Sequence, residues 1–225
     1  VTPQDIITEA RDLVQDSMVP YRYSDAIMLR FVNDTFKRAS VLRPDLFGTI
    51  GDIPLTPGSA LQSCPAGAIR FIELFQVKGG SAIVETTRVA LSRYTPNWMS
   101  ALPGTPTNFM RYPRNPTKFF VYPPPVLGTV VTGEWAATPV TLAMADMALL
   151  PDAYMPVMVD GVVALAEVVD NEHVENGRAK FFADRFEQTL VAGLKVREVT
   201  DFEDAGTEPD LTTRGANTPK KTYAA

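Results

Sequence analysis

The stretch "PDAYMPVMVDGVVALAEVV" (Pro151–Val169) decides the fold, because it restores helical periodicity after the proline-rich residues 45–143. Met158, Val162, Leu165 and Val169 recur three or four apart, and Val157, Gly161 and Val168 make the adjacent stripe apolar. That spacing predicts a helix buried on more than one side. Asp152 reads as its N-cap, and Pro156 stands close enough to the start to be tolerated. A last helix is expected from about Glu175 to Val196, with Ala179, Phe182, Ala183, Phe186, Leu190 and Leu194 as its stripe. Phe182 and Phe186 should face the second helix of the chain, near Phe31 and Phe36.

Two helices precede the proline-rich region. Thr2, Pro3 and Asp5 read as N-cap, first-turn proline and first-turn carboxylate, followed by Ile6, Ala10, Leu13 and Val14 on one face. Pro20 closes that helix. Ser24 and Asp25 open a second, in which Ile27, Met28, Phe31, Val32, Phe36 and Ala39 keep helical spacing. Arg43-Pro44 ends it, since a residue before proline is pushed out of the α region. Between the helical halves, Ala68–Val77, Ser81–Val84, Asn108–Arg111, Lys118–Tyr122 and Val130–Trp135 are the expected strands, with Gly79-Gly80 as a hairpin turn. Tyr94, Trp98 and Tyr112 should cover one sheet face. Pro123, Pro124 and Pro125 supply no ladder donor, so the strand in "NPTKFFVYPPP" (Asn115–Pro125) must stop there in a stiff extended turn.

The expected fold class is therefore α+β. Residues 1–44 and 144–197 each bear apolar stripes they cannot bury alone and should close into one helical bundle. Residues 45–143 form a β-rich insert, and residues 198–225 an extended C-terminal tail. That tail has few large apolar residues, is acidic first (Glu198, Asp201, Glu203, Asp204, Glu208, Asp210) and basic last (Arg214, Lys220, Lys221), and alone in water would be disordered.

Composition narrows the function. With 225 residues, 45% hydrophobic and 21% charged, the chain is long enough to bury a sizeable core without disulfides or metal. A net charge of −5 argues against a general nucleic-acid grip, which needs a basic stripe. No basic stretch followed by an apolar core stands at the N-terminal end, so no secretory leader is expected. The longest apolar stretch, near Val157–Val169, is too short and interrupted to span a bilayer. The single Cys64 can form neither an intramolecular disulfide nor a zinc cluster and is expected as a buried or strand-edge thiol.

No catalytic, cofactor-binding or metal-ligating residue is expected. The one histidine, His173, lies among acidic residues in a polar connection, where an exposed turn is the simpler reading. Asp170 and His173 have the spacing of a carboxylate–histidine metal pair, but a di-metal site needs a second such pair and no second histidine exists. Gly79-Gly80 lacks the lysine, hydroxyl residue and following helix of a phosphate loop. Phe119, Phe120, Tyr122 and Trp135 lack the interleaved arginines of a base-stacking platform and read as core.

Three stretches carry a family resemblance: "LRFVNDTFKRASVLRPDLF" (Leu29–Phe47), "NPTKFFVYPPP", and "LPDAYMPVMVDGVVALAEVVDNEHVENGRAKFFADRFEQTL" (Leu150–Leu190). In this order the sequence resembles the head-to-tail adaptor proteins of tailed phages, close in kind to tail tubular protein A of short-tailed phages. The matched features are a second helix ending in an arginine-proline-aspartate turn, a lysine-aromatic strand running into prolines, a leucine-proline-aspartate-x-tyrosine helix start, and an alanine- and aromatic-rich last helix. The resemblance covers roughly Thr2 to Val196 and leaves Leu55–Ala101 and the tail without a counterpart.

The resemblance implies a non-enzymatic structural protein of the virion neck. It implies a ring, usually of twelve subunits, between portal protein and tail nozzle protein, through which double-stranded DNA passes without sequence-specific binding and without a membrane. The proline-stopped strand then belongs to a rigid insert that contacts a neighbour or the nozzle. Two alternatives stand beside it, a tail-associated cell-wall or polysaccharide hydrolase and a minor capsid or scaffold protein. The tail is expected to order along a portal subunit or a neighbouring copy, with Pro209 and Pro219 keeping it extended, Arg214, Lys220 and Lys221 meeting acidic groups, and Tyr223 as anchor.

Overall fold

Thr2 starts the first helix by a capping box. Its hydroxyl accepts from the Asp5 N–H while the Asp5 carboxylate accepts from the Thr2 N–H at 2.7 Å. The computed structural model describes residues 1–169 and 176–204. Helix α1 spans Pro3–Leu13 and α2 spans Asp25–Leu42, the latter capped by Ser24 and closed at Arg43. A single 3-10 turn, Pro44–Phe47, leads into the strands.

The strands are β1 (Gly48–Pro54), β2 (Leu61–Ser63), β3 (Ala68–Val77), β4 (Val84–Glu85), β5 (Asn108–Arg111), β6 (Lys118–Tyr122) and β7 (Val130–Ala137). A short helix α3, Arg88–Tyr94, follows β4. β7 lies between β1 and β3 in an antiparallel three-stranded sheet, and a second sheet has the order β2-β6-β5-β4, with β4 parallel to β5. Ile53, Phe71, Leu74 and Val131 from the first sheet meet Phe109, Phe119 and Val121 from the second in one core. Phe71 stacks on Phe119 with ring centroids 4.3 Å apart. The opposite face of β6 is covered too, because Phe120 packs edge-to-face on Trp98 and Tyr112. The unbroken apolar run of β6 is thus the signature of a strand buried on both faces.

The prolines after β6 have a second use. Pro124 and Pro125 are buried, and their carbonyls accept from Gly104 and Gly58 N–H groups, each at 2.8 Å. A segment without donors therefore pins two loops through its acceptors.

Helix returns as a 3-10 turn at Asp152–Tyr154, then α4 (Met155–Val169) and α5 (Asn176–Asp204). Ile6, Ile7, Met28, Phe31, Val32, Phe36, Met158, Val162, Phe182, Phe186 and Leu190 share one hydrophobic core, so α1, α2, α4 and α5 each contribute to it.

Several details differ from the sequence reading. α1 ends at Leu13, so Ser17, expected on its face, lies beyond it, well before Pro20. Ser81–Val84 is no continuous strand, since Ala82 makes a lone bridge to Gln76 and β4 begins only at Val84. Tyr94 covers no sheet face and is 87% exposed, because α3 buries none of its residues; Trp98 and Tyr112 do the covering. Asp152 is the first residue of the 3-10 turn and makes no side-chain cap; Pro151 occupies the cap position. The last helix runs eight residues past Val196, to Asp204. No glycine or proline stands between Gly193 and Asp204, and extending a helix already begun gains one hydrogen bond per residue fixed.

Candidate functional site

The residues that carry the family resemblance meet at one corner. Arg43, at the end of α2, is 5% exposed and donates through Nε and Nη2 to Asp45, at 2.9 and 2.8 Å. Its remaining Nη1 donates to the carbonyl of Leu190 in α5 at 2.8 Å. The Asp45 hydrogen bonds, chiefly, hold the Arg43 pKa above its ordinary value. Arginine suits this place because its planar fork serves a carboxylate and a carbonyl at once. The arginine-proline-aspartate turn and the last helix are thereby locked together where the strands begin.

Two further charged groups fix the helical part. Asp160 in α4 is buried and receives a fork from Arg185 in α5. Arg11 is buried with Asp16, to which it donates at 2.8 Å, and it also reaches Asp25 and the Tyr23 carbonyl, tying the α1–α2 loop to both helices.

Beside the corner, the surface opens into a cleft of about 470 Å³ lined by Val41, Pro44, Arg70, Arg111, Tyr112 and Lys118. A second cleft of about 480 Å³ lies across the β5–β6 turn, with Arg88, Arg111, Tyr112 and Arg114 in its walls. Arg111 pairs with Glu85 at 2.9 Å. Four other cations, Arg70, Arg88, Arg114 and Lys118, have no carboxylate partner among the described residues.

Two carboxyls outside the clefts, Asp5 and Asp52, are lowered by hydrogen bonds from Thr2 and from Lys78 respectively. No group of three or more metal-ligating side chains occurs among the described residues, and no helix there is long and apolar enough to cross a membrane. Asp170 and His173 lie outside the described residues, as do Pro209, Arg214, Pro219, Lys220, Lys221 and Tyr223.

Comparison with known protein families matches residues 1–209 to the SU10 adaptor protein. The chain belongs to the SU10 adaptor protein family. It is a phage adaptor-type structural protein of the virion. The match includes Leu55–Ala101, which the sequence motifs left without a counterpart, and reaches past α5. No curated protein matches the chain. In this SU10-type adaptor the paired clefts are what the sequence reading missed. Their signal was regional: residues 45–143 carry seven basic and five acidic side chains inside a chain of net charge −5.

Proposed function

We propose that this adaptor works at the neck of the particle, as a ring between portal and tail nozzle through which double-stranded DNA leaves. In this reading a helical bundle carries the β-rich insert, and the C-terminal tail secures the protein to the portal or to a neighbouring copy. Its kinship in kind to tail tubular protein A of short-tailed phages belongs to the same proposal.

The observation that carries it is the match of residues 1–209 to an adaptor family. The architecture of the corner supports it. A ring subunit transmits load from one partner to the other, and Arg43 ties α2, the 3-10 turn and α5 together at the strand junction. A head-to-tail contact between identical wedges closes into a ring when its rotation divides the circle. DNA must slide, so the lumen should present few cations, since each phosphate contact adds a salt-dependent grip. The chain's net charge of −5 is compatible with such a lumen.

Negative-stain imaging of the purified protein, alone and mixed with portal rings, tests the proposal. The expected result is monomers or weak oligomers alone and a stacked second ring on the portal. Uniform decoration of capsid shells with no affinity for portals would favour the minor capsid reading, and release of reducing sugars or muropeptides from cell-wall substrates the hydrolase reading.

A further inference from the structure

The strand register puts four loops at one end of the β-rich region, away from the helices. Gly48–Ala136 is the β1–β7 pair nearest the 3-10 turn that follows α2, and Pro54–Val130 is the farthest. Residues 55–59, 78–81, 102–107 and 123–129 gather around that far pair. Leu55 N–H donates to the Thr129 carbonyl at 3.0 Å, Gly58 to Pro125 and Gly104 to Pro124 at 2.8 Å, and Lys78 to Val130 at 2.9 Å. In a chain 21% charged, these loops hold a single charged side chain, Lys78, and it is ion-paired with Asp52. Two large apolar side chains stand in the open there, Leu102 at 88% and Leu127 at 87% exposure.

Both leucines are held by their backbones. Leu127 and Gly128 form the corner of a turn closed by the Thr129 N–H on the Val126 carbonyl at 3.3 Å, and Gly128 supplies the φ of 82° that the second corner needs. Two residues after Leu102, Gly104 makes a bridge with Pro125, so the two loops run side by side. Their fit is close, since a Cβ at Gly104 would meet Pro123 at 3.1 Å. A knob already fixed in place loses little conformational freedom on docking. We infer that this uncharged end is the surface by which the protein grips an apolar, uncharged socket on the tail nozzle protein. The inference rests on the adaptor reading, which supplies that partner, and adds the surface and the chemistry of the contact.

Charge and area weigh against the other occupants. A charged protein surface would lose its hydration against loops that offer nothing to pair with it. A lipid surface is held by cations beside the apolar group, and the one cation here already faces a carboxylate. Two copies meeting end to end would share two leucines a side, far less than the roughly 1,200 Å² that a stable pair buries. A ring removes that shortfall for a partner repeated about the same axis, because each small contact is then made many times at once. In the adaptor reading the C-terminal tail takes the portal or a neighbouring copy, which leaves the nozzle for this end.

The test titrates purified nozzle protein against the full chain, free and mounted on portal rings, by biolayer interferometry. Binding to the mounted chain is expected to change less than about threefold as salt rises from about 50 to about 500 mM, because no charge takes part. Leu102→Ser with Leu127→Ser should weaken it by about a hundredfold or more. The same variant should keep its portal rings and its circular dichroism melt, since both side chains are exposed. Leu102→Met with Leu127→Met keeps the contact apolar and should stay within about tenfold of the wild type. Unchanged binding by the serine variant, or binding abolished by salt, overturns the inference. Loss of portal rings in that variant assigns the end to the portal and overturns it as well. So does wild-type binding to phosphatidylcholine vesicles, or self-association in sedimentation velocity, that the serine variant lacks. Rings on portals without nozzle binding sink this surface alone. Nozzle binding by the free chain without rings sinks the ring alone, and the absence of both sinks the two together.

Discussion

Arg43 shows how one side chain turns a sequence signature into a structural constraint. Its fork is shared between Asp45 and the Leu190 carbonyl inside a corner from which water is largely excluded. Arg43→Ala should destabilise the fold by about 3 kcal/mol, because Asp45 and a buried carbonyl then lose their donor. Arg43→Lys should recover only part of that loss, since a point charge cannot serve both acceptors. Urea denaturation of the two variants measures this, and equal stability of all three proteins would remove the corner from the account. Cys64 offers a second reading at this scale. Burial pushes its thiol up to about 11. A raised folded pKa means that the protonated form is favoured by folding; that contribution is intact below the unfolded value near ~8.5 and is lost as pH climbs toward the folded one. Thiol reagents at pH 8 should therefore modify Cys64 on the order of a hundredfold more slowly than an unfolded thiol. The sequence showed that Cys64 lacks partners; its half-buried place depends on how the end of β2 lies against Thr117, to whose carbonyl the Cys64 N–H donates at 2.9 Å.

Among the elements, legibility followed burial. Helix starts were readable because Thr2, Ser24 and their neighbours cap by local chemistry, and Ala68–Val77, Asn108–Arg111 and Lys118–Tyr122 were readable because β-branched and aromatic residues cluster there. β1 escaped notice: "GTIGDIP" holds two glycines and a proline and buries only Ile53, so its identity comes from pairing with β7. α3 escaped for a like reason, having no buried face to generate a period. Closest approach between helices was equally invisible. A Cβ at Gly161 of α4 would collide with Thr35 of α2 and come within 3.0 Å of the Phe186 ring of α5. Alanine at this position gains about 1 kcal/mol of helix propensity but must displace two packed elements. Gly161→Ala should thus destabilise by about 1–3 kcal/mol net, and Phe186→Ala, which empties the other side of the same contact, by about 3–5 kcal/mol. Thermal melts decide both, and a stabilised Gly161→Ala would mean that the helices can move apart freely.

At the scale of the whole molecule, the division of labour lies along the chain. Leu190 is the last described side chain of α5 in the hydrophobic core, and the helix continues to Asp204 and the sequence to Ala225. Stability and attachment should therefore be separable. Period and capping could not reveal this, because the helix beyond Leu190 is set by the absence of a breaker, whereas the core is set by apolar spacing. The family match extends to residue 209, nineteen residues beyond Leu190. A chain ending at Glu203 loses Pro209, Arg214, Pro219, Lys220, Lys221 and Tyr223 together, along with Asp204, Glu208 and Asp210, and keeps every core residue among the described ones. It should keep its thermal midpoint to within about 2 °C, since a polar stretch with few large apolar residues adds only a few tenths of a kcal/mol to a core. Particles assembled with it should lose their tails or leak DNA, scored by electron microscopy and nuclease sensitivity. A midpoint lowered by many degrees would make the segment part of the fold. Normal tails on a truncated protein would instead place attachment wholly in the helices and the β-rich region, leaving the long extension of α5 without a task.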